Sequence, residues 1–388
     1  MKKTKAVKWD YYNILICFLF LLPLSGTGLP AYFVAILFLV YRLGKIELKL
    51  QDVFFLIALI LWFILKCQQT EIYASLVLLR YYFGFYIFYL FFSIIDKDIN
   101  LDRLLIVICI AVLIEAVLIN TIIKPEWLLN YPKHGDFEDS LSNVYETQIL
   151  GFYQKPYSIG GNSTITSSII MVLLFYCYSF YRRILFKSLQ STLILAIITI
   201  VMLGSGTGYI LLLLFLIFKI GPFRNSSNAI ISSLVIFIIY YLIFILDIGS
   251  TEGFDKISSF YIQNLYDFKI MQFNDDISDL LLNINQLYIG KKFENASQLI
   301  IWSDFAWDNL FYCTGFIGFG ITILILIFKT NKYNWIPVLI LMIGAFHYAA
   351  MYALQGQMLL GYFLSPNFKN KVKDQLMNPQ SEPNLLPN

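Results

Sequence analysis

Apolar residues fill long blocks of this chain, and charged residues collect between them. A helix needs ~20 apolar residues to cross a bilayer, fewer where the membrane thins or protein shields the span. Blocks of suitable length fall at 11–25, 28–42, 52–67, 74–95, 101–123, 163–181, 189–204, 206–220, 228–247, 304–328, 335–348 and 350–365. This pattern predicts an all-α, polytopic membrane protein of about 12 spans, with 10–12 as the range, because 189–220 and 335–365 each read as two short helices or one bent one. Gly204-Ser205-Gly206-Thr207-Gly208 marks a tight turn in the first pair, and a weaker break near His347 and Tyr348 divides the second. Residues 1–377 are expected to form one transmembrane domain, with 378–388 as a disordered cytoplasmic tail rich in proline.

Composition supports this pattern. Of the 388 residues, 59% are hydrophobic and 14% charged, whereas soluble domains carry about a quarter charged residues. Aromatics reach 18%, which suits lipid-facing surfaces and interfacial belts. A net charge of +3 gives no reason to expect a nucleic-acid partner. Cys17, Cys67, Cys109, Cys177 and Cys313 are scattered, with neither metal-ligand spacing nor a disulfide framework. The basic start MKKTKAVK leads into an apolar run without a small-residue cleavage site, which predicts a retained first helix.

Charge then orients the spans. Most of the 28 Lys and Arg fall on the side of the N-terminus, including Arg42, Lys97, Arg182, Arg183, Lys332 and the tail FKNKVK. The bias predicts both termini inside. The two long segments, 124–162 and 248–303, then lie on the outer face. Long structureless loops are uncommon, so each is expected to fold over the membrane surface. KISSFYIQNLYDFKIMQF and DISDLLLNINQLY have helical apolar spacing.

A few polar groups are costly within spans and therefore informative. Arg80 in LVLLRYYFGFY and Glu115 in AVLIEAVLI sit on consecutive antiparallel helices at similar depth. They suit a buried ion pair, or a snorkelling arginine, or an Arg80 that grips an anionic ligand through its planar fork. GFYQKPYSIGGNSTITSS (151–168) enters the membrane with Lys155 and a run of hydroxyls, either as an ordinary capped helix start or as an anion site. In YIGKKFENASQLIIWSDFAWDNLFYCTGFIGFG (288–320), Lys291 and Lys292 follow a turn glycine. Asp304 and Asp308 lie four apart at a span start, where they complement the helix dipole or serve chemistry. Gly315, Gly318 and Gly320 suit close helix packing. His347 near the outer end of the penultimate span is a hydrogen-bonded structural group, a base or a phosphate contact. No HExxH, CxxC, Walker loop or GxSxG occurs in a suitable setting, so no metal and no cofactor is expected.

In layout the chain resembles the Wzy-type polysaccharide repeat-unit polymerases and the related O-antigen ligases of bacteria. GFYQKPYSIGG is similar to the family's Gly-Phe-x-x-Pro stretch, LGSGTGYILLL to its small-Ser-Arg-Thr-Gly hairpin, and YIGKK…WSDFAWDNLFYCTGFIGFG to its Gly-rich turn, Ser-Asp and Gly-x-x-Gly helix. Gly206 stands where the hairpin usually has arginine, and Gln148 and Ile149 where an arginine often precedes Gly-Phe. The resemblance implies a metal-independent glycosyltransferase at the periplasmic face of a bacterial inner (plasma) membrane. Its partners would be oligosaccharides linked to undecaprenyl pyrophosphate, membrane lipids, and a chain-length regulator and flippase. It further implies pyrophosphate contacts from Arg80, Lys155, Lys291 and Lys292, with Glu115 and Asp308 nearby. Asp304 or His347 would act as the base, and Tyr153, Tyr157 and Trp302 would pack against sugars. An O-antigen ligase and a lipid-linked oligosaccharide flippase or transporter are the alternatives.

Overall fold

In the computed structural model the described residues are 11–21, 29–42, 49–95, 99–120, 148–149, 153–154, 156, 163–180, 186–216, 259–295, 305–345 and 350–377. These are helical almost throughout. The exception is a minimal antiparallel ladder in which β1 (Gln148–Ile149) pairs with β2 (Tyr153–Gln154), Gln148 opposite Gln154.

Among the described residues three helices are long and apolar enough to cross a membrane: α3 (Leu50–Cys67), α4 (Ile72–Ile94) and α11 (Ala306–Lys329). The 18 residues of α3 rise ~27 Å at 1.5 Å each, close to the thickness of a hydrocarbon core. Other helices accompany them: α1 (Tyr11–Leu21), α2 (Leu29–Tyr41), α5 (Leu101–Ile119), α6 (Ser163–Phe180), α7 (Phe186–Leu203) and α8 (Gly206–Phe215). After them come α9 (Ser259–Leu281), α10 (Ile284–Ile289), α12 (Trp335–Gly344), α13 (Leu354–Leu364) and α14 (Pro366–Met377). The first doubtful pair, 189–220, is two helices. They join at Gly204 (φ 57°), and the Ser205 hydroxyl caps the second by accepting from Gly208 N–H at 3.3 Å. The second pair is also two helices, but with 10 and 11 residues they rise only ~15–17 Å, about half a bilayer. The expected span 228–247, the tail 378–388 and most of 124–162 lie outside the described residues.

Helix α4 is the hub of one group and packs against α2, α3, α11, α13 and α14. Glycines permit the closest approaches. A Cβ on Gly84 would strike the Gln357 amide and the Tyr32 ring, and one on Gly361 would stand 2.6 Å from the Phe88 Cβ. The Gln357 amide then ties three helices, accepting from Tyr32 O–H at 2.7 Å and donating to the Tyr81 carbonyl at 2.7 Å. A second group gathers on α6, which packs against α5, α7, α8 and α12. Helices α3 and α11 run antiparallel, as their end contacts show. Trp62 Nε1 donates to the Thr314 carbonyl (3.0 Å) at one end, and Lys329 pairs with Asp52 (2.5 Å) at the other.

The expectation that Arg80 and Glu115 meet is not upheld. The principal neighbours of α5 are α1, α6 and α7, not α4. The ion pairs between described residues are Lys291–Asp279 and Lys329–Asp52. Helices α4 and α5, though consecutive, belong to different packing groups, so for these two adjacency in sequence does not give close packing.

Candidate functional site

Helix α11 is not straight. Gly315 has φ 65° and ψ −174°, which places a sharp break nine residues in from Ala306. In an unbroken helix Trp307 and Phe319 would stand ~18 Å apart along the axis. Their ring centroids lie 6.4 Å apart, and Phe311 and Phe319 lie 5.9 Å apart. The segment 306–314 therefore folds back against the start of 316–329.

Such a break exposes carbonyls that must find donors in an apolar setting. All three at the end of the first segment do so. The Tyr312 carbonyl accepts from Lys291 N–H (2.8 Å), that of Cys313 from Lys66 Nζ (2.9 Å), and that of Thr314 from Trp62 Nε1 (3.0 Å). Lys66 also donates to the carbonyls of Lys291 (2.6 Å) and Ile289 (3.4 Å), and its ammonium sits 5.4 Å from the centre of the Phe293 ring. One fully buried ammonium thus clamps the turn 289–293 onto the break. Gly290 (φ 90°) faces Cys313 so closely that a Cβ would collide with its carbonyl, and a Cβ on Gly315 would stand 2.5 Å from the Tyr288 oxygen. Both glycines are needed for backbone conformation and close approach together.

Among the described residues the buried charged side chains are Asp52, Lys66, Asp308 and Lys329. Three are satisfied. Lys66 has its carbonyls. Asp52 receives Lys329 Nζ (2.5 Å), Tyr89 O–H (3.0 Å) and Tyr86 O–H (3.1 Å) on one oxygen. Asp308 is the exception: it is 1% exposed, and among the described residues no donor reaches either carboxyl oxygen. Beside it lies the carboxyl of Asp276 from α9, at hydrogen-bonding reach. Two carboxylates cannot hydrogen-bond, since each only accepts, so that contact forms only when one of them carries a proton.

The surroundings of Asp276 push its carboxyl above the usual carboxylate range. Burial is the chief cause, the charges of Asp279 and Asp275 add to it, and hydrogen bonds from Asp308 and Gln272 oppose it. Asp279, one turn on, is held below that range chiefly by its hydrogen bond to Lys291, with Tyr312 O–H also donating. Lys291 Nζ meets both Asp279 oxygens, at 2.7 and 2.6 Å, and Tyr312 O–H donates to one at 2.7 Å. Lys269 acts on Asp308 through its charge and stands 5.3 Å from the centre of the Phe305 ring.

Asp308 and Lys291, both expected site residues, lie at the same fold-back and meet neighbouring aspartates of α9, Asp276 and Asp279, with exposed Lys292 next along the turn. Arg80 is half-buried on α4, close enough to Tyr32 and Tyr81 for its charge to act on both. Its helix reaches the fold-back through Tyr82, whose hydroxyl donates to the Asn309 carbonyl (3.2 Å). Tyr81, Tyr82 and Tyr352 form a ring cluster there, with centroids 4.9 to 5.8 Å apart. Glu115 lies on α5, in the other packing group. Asp304, Trp302, His347, Lys155 and Tyr157 lie outside the described residues, and Tyr153 is placed only as a backbone position opposite Ile149. Helix α11 begins at Ala306, Phe305 before it is non-helical (φ −132°, ψ 90°), and the shared face expected for Asp304 and Asp308 falls partly outside the described residues. Sequence reasoning missed Lys66, Asp276, Asp279 and Tyr312. For the two aspartates a signal existed: in MQFNDDISDLL they lie three apart, on one helical face.

Comparison with family models, with curated proteins and with solved structures finds no match.

Proposed function

We propose that this chain is a polysaccharide repeat-unit polymerase, a glycosyltransferase at the outer face of a bacterial plasma membrane. The observation that carries the reading is the fold-back of α11. It joins the Gly-Lys-Lys turn (290–292) to the helix ending in Gly-x-x-Gly (315–318), two separate parts of the resemblance, through Lys66. It also buries the Asp308 carboxyl within the first segment of that fold-back.

In this reading both termini are cytoplasmic, about twelve spans cross the membrane, and 124–162 and 248–303 cover the outer face. The donor is a growing glycan on undecaprenyl pyrophosphate, and the acceptor is one repeat unit on the same lipid. The acceptor hydroxyl oxygen bonds to the donor's anomeric carbon as that carbon's bond to pyrophosphate breaks. Undecaprenyl pyrophosphate leaves with the electron pair, and a base takes the hydroxyl proton. Arg80, Lys292 and Lys155 stabilise the departing pyrophosphate. Lys291, tied to Asp279, contributes its charge at one remove. Tyr153, Tyr157 and Trp302 pack against sugar rings. Where the family's hairpin has arginine, a Cβ on Gly206 would meet nothing within 4 Å, so that position has space for a side chain.

One observation favours a second reading. A discontinuous helix is a device by which transporters build substrate sites, so α11 also suits a lipid-linked oligosaccharide flippase. Deleting the chain's gene and separating surface glycan on a gel distinguishes these. Single repeat units on the surface lipid support the polymerase; complete loss of surface sugar supports the flippase, and free lipid-linked polymer a ligase. In the same assay Arg80→Ala should remove polymer while leaving single units, and normal polymer would refute the arginine's role.

A further inference from the structure

Among the described residues, Asp52 and Asp279 are well supplied with donors. Asp52 has three, and the half-exposed Asp279 has Lys291 and Tyr312. Asp308 has none among the described residues, although it is the more costly to leave bare. Its neighbours account for this. Lys291, the ammonium on the adjacent turn, is engaged by both Asp279 oxygens, and the Tyr312 hydroxyl is engaged by Asp279 as well. Lys269 on α9 acts on Asp308 by charge, while Asp275 and Asp279 on the same helix face Asp276. Cys313, one turn on in α11, gives its S–H to Asn309 Oδ1 at 3.3 Å. Among the described residues, the group left at hydrogen-bonding reach of Asp308 is the Asp276 carboxyl, which is half-exposed.

We propose that Asp276 and Asp308 hold one proton between them, with Asp276 as the base that takes the acceptor sugar's hydroxyl proton and Asp308 as its protonated partner. This rests on the polymerase reading. Burial disfavours the charged form, so the proton resides on the deeper member, Asp308, and the half-exposed Asp276 is ionised and faces the acceptor. The acceptor oxygen attacks the anomeric carbon, the bond to pyrophosphate breaks, the leaving group keeps the electron pair, and the hydroxyl proton moves to Asp276. Asp276 then returns that proton to water. Asp276 is the catalytic residue, and Asp308 is a positioning residue that acts through it. Pairing a neutral acid with an ionised one separates roles that two equally exposed aspartates would share.

The test uses the full chain in lipid nanodiscs. Infrared spectra at neutral pH should show a protonated-carboxyl band in the wild type that Asp308→Asn lacks. With lipid-linked repeat units as substrate, Asp276→Asn should lose about 10²-fold or more in turnover with KM little changed, the size expected for a lost general base. Asp308→Asn, a permanently neutral mimic, should keep turnover within about tenfold and lose the alkaline limb of the pH–rate profile, because that limb comes from ionising the pair. Absence of the band in wild type, or wild-type turnover in Asp276→Asn, overturns the proposal. A wild type that shows the band but no turnover on the lipid-linked unit overturns the polymerase reading, and the catalytic role with it, while leaving the shared proton established.

Discussion

Replacing Lys66 by Met keeps the length and apolar stem of the side chain and removes its ammonium. The carbonyls of Lys291 and Cys313 then lose donors at 2.6 and 2.9 Å, and that of Ile289 loses a longer contact at 3.4 Å. A buried carbonyl left without a donor costs ~1–3 kcal/mol, so the two short bonds together represent about 2–6 kcal/mol. Removing a buried ammonium returns part of this, because its desolvation penalty disappears. A net loss of roughly 2–4 kcal/mol should fall on the junction between the turn 289–293 and the break in α11. At 1.36 kcal/mol per decade, local opening becomes about 10²-fold more frequent. Cys313 is 1% exposed within that junction and reports the opening. Its alkylation by a small maleimide, followed by mass spectrometry of the peptide that contains it, should accelerate by about that factor. Cys109 and Cys177, buried in α5 and α6, should label as in the wild type. An unchanged rate at Cys313 would refute the clamp, and equal acceleration at all three thiols would show general unfolding in place of a local lock.

Gly315→Ala should lower the melting temperature in detergent markedly, since φ 65° and the Tyr288 oxygen both oppose a Cβ, whereas Gly320→Ala meets open space and should melt like wild type. Equal melting of the two would remove the break from the account. Asp52→Asn or Lys329→Met should each cost about 3–5 kcal/mol, because either leaves a buried charge or its hydrogen bonds uncompensated. The double substitution to leucine should cost less than the sum of the two, and strictly additive losses would deny the coupling. The Asp279 carboxyl is held below its unfolded value, so its tie to Lys291 stabilises the fold above the ordinary carboxylate range and is lost as pH falls through the folded value. Hydrogen exchange at 284–293, corrected for intrinsic rates, should show protection falling on acidification in wild type and already low at neutral pH in Lys291→Met; a pH-independent wild type would contradict this.

The long apolar runs were legible because hydropathy and length together determine them. The apolar runs at 52–67, 74–95 and 304–328 appear as the helices Leu50–Cys67, Ile72–Ile94 and Ala306–Lys329, each long and apolar enough for a span and the last broken at Gly315. The turn at Gly204 was legible too, since five small residues in a row favour little else. The break at Gly315 was not. Glycines spaced along an apolar run suit helix packing equally well, and only the backbone reveals a positive φ. Lys66 reads in sequence as an ordinary basic residue at a span end. Its role depends on carbonyls more than 200 residues away, which no local pattern encodes. Arg80 and Glu115 misled for the opposite reason: sequence order suggested neighbours, and packing separated their helices. Asp308 was legible as a polar group in a span, but its lack of donors, and Asp276 beside it, emerge only from the fold.

The most direct test of the central claim uses the purified chain in liposomes with an undecaprenyl-pyrophosphate-linked repeat unit as the sole substrate. The polymerase account predicts a ladder of longer lipid-linked glycans, with one undecaprenyl pyrophosphate released for each linkage formed. Repeat units that stay unchanged in length, with no lipid pyrophosphate released, would contradict it, whichever side of the membrane they occupy.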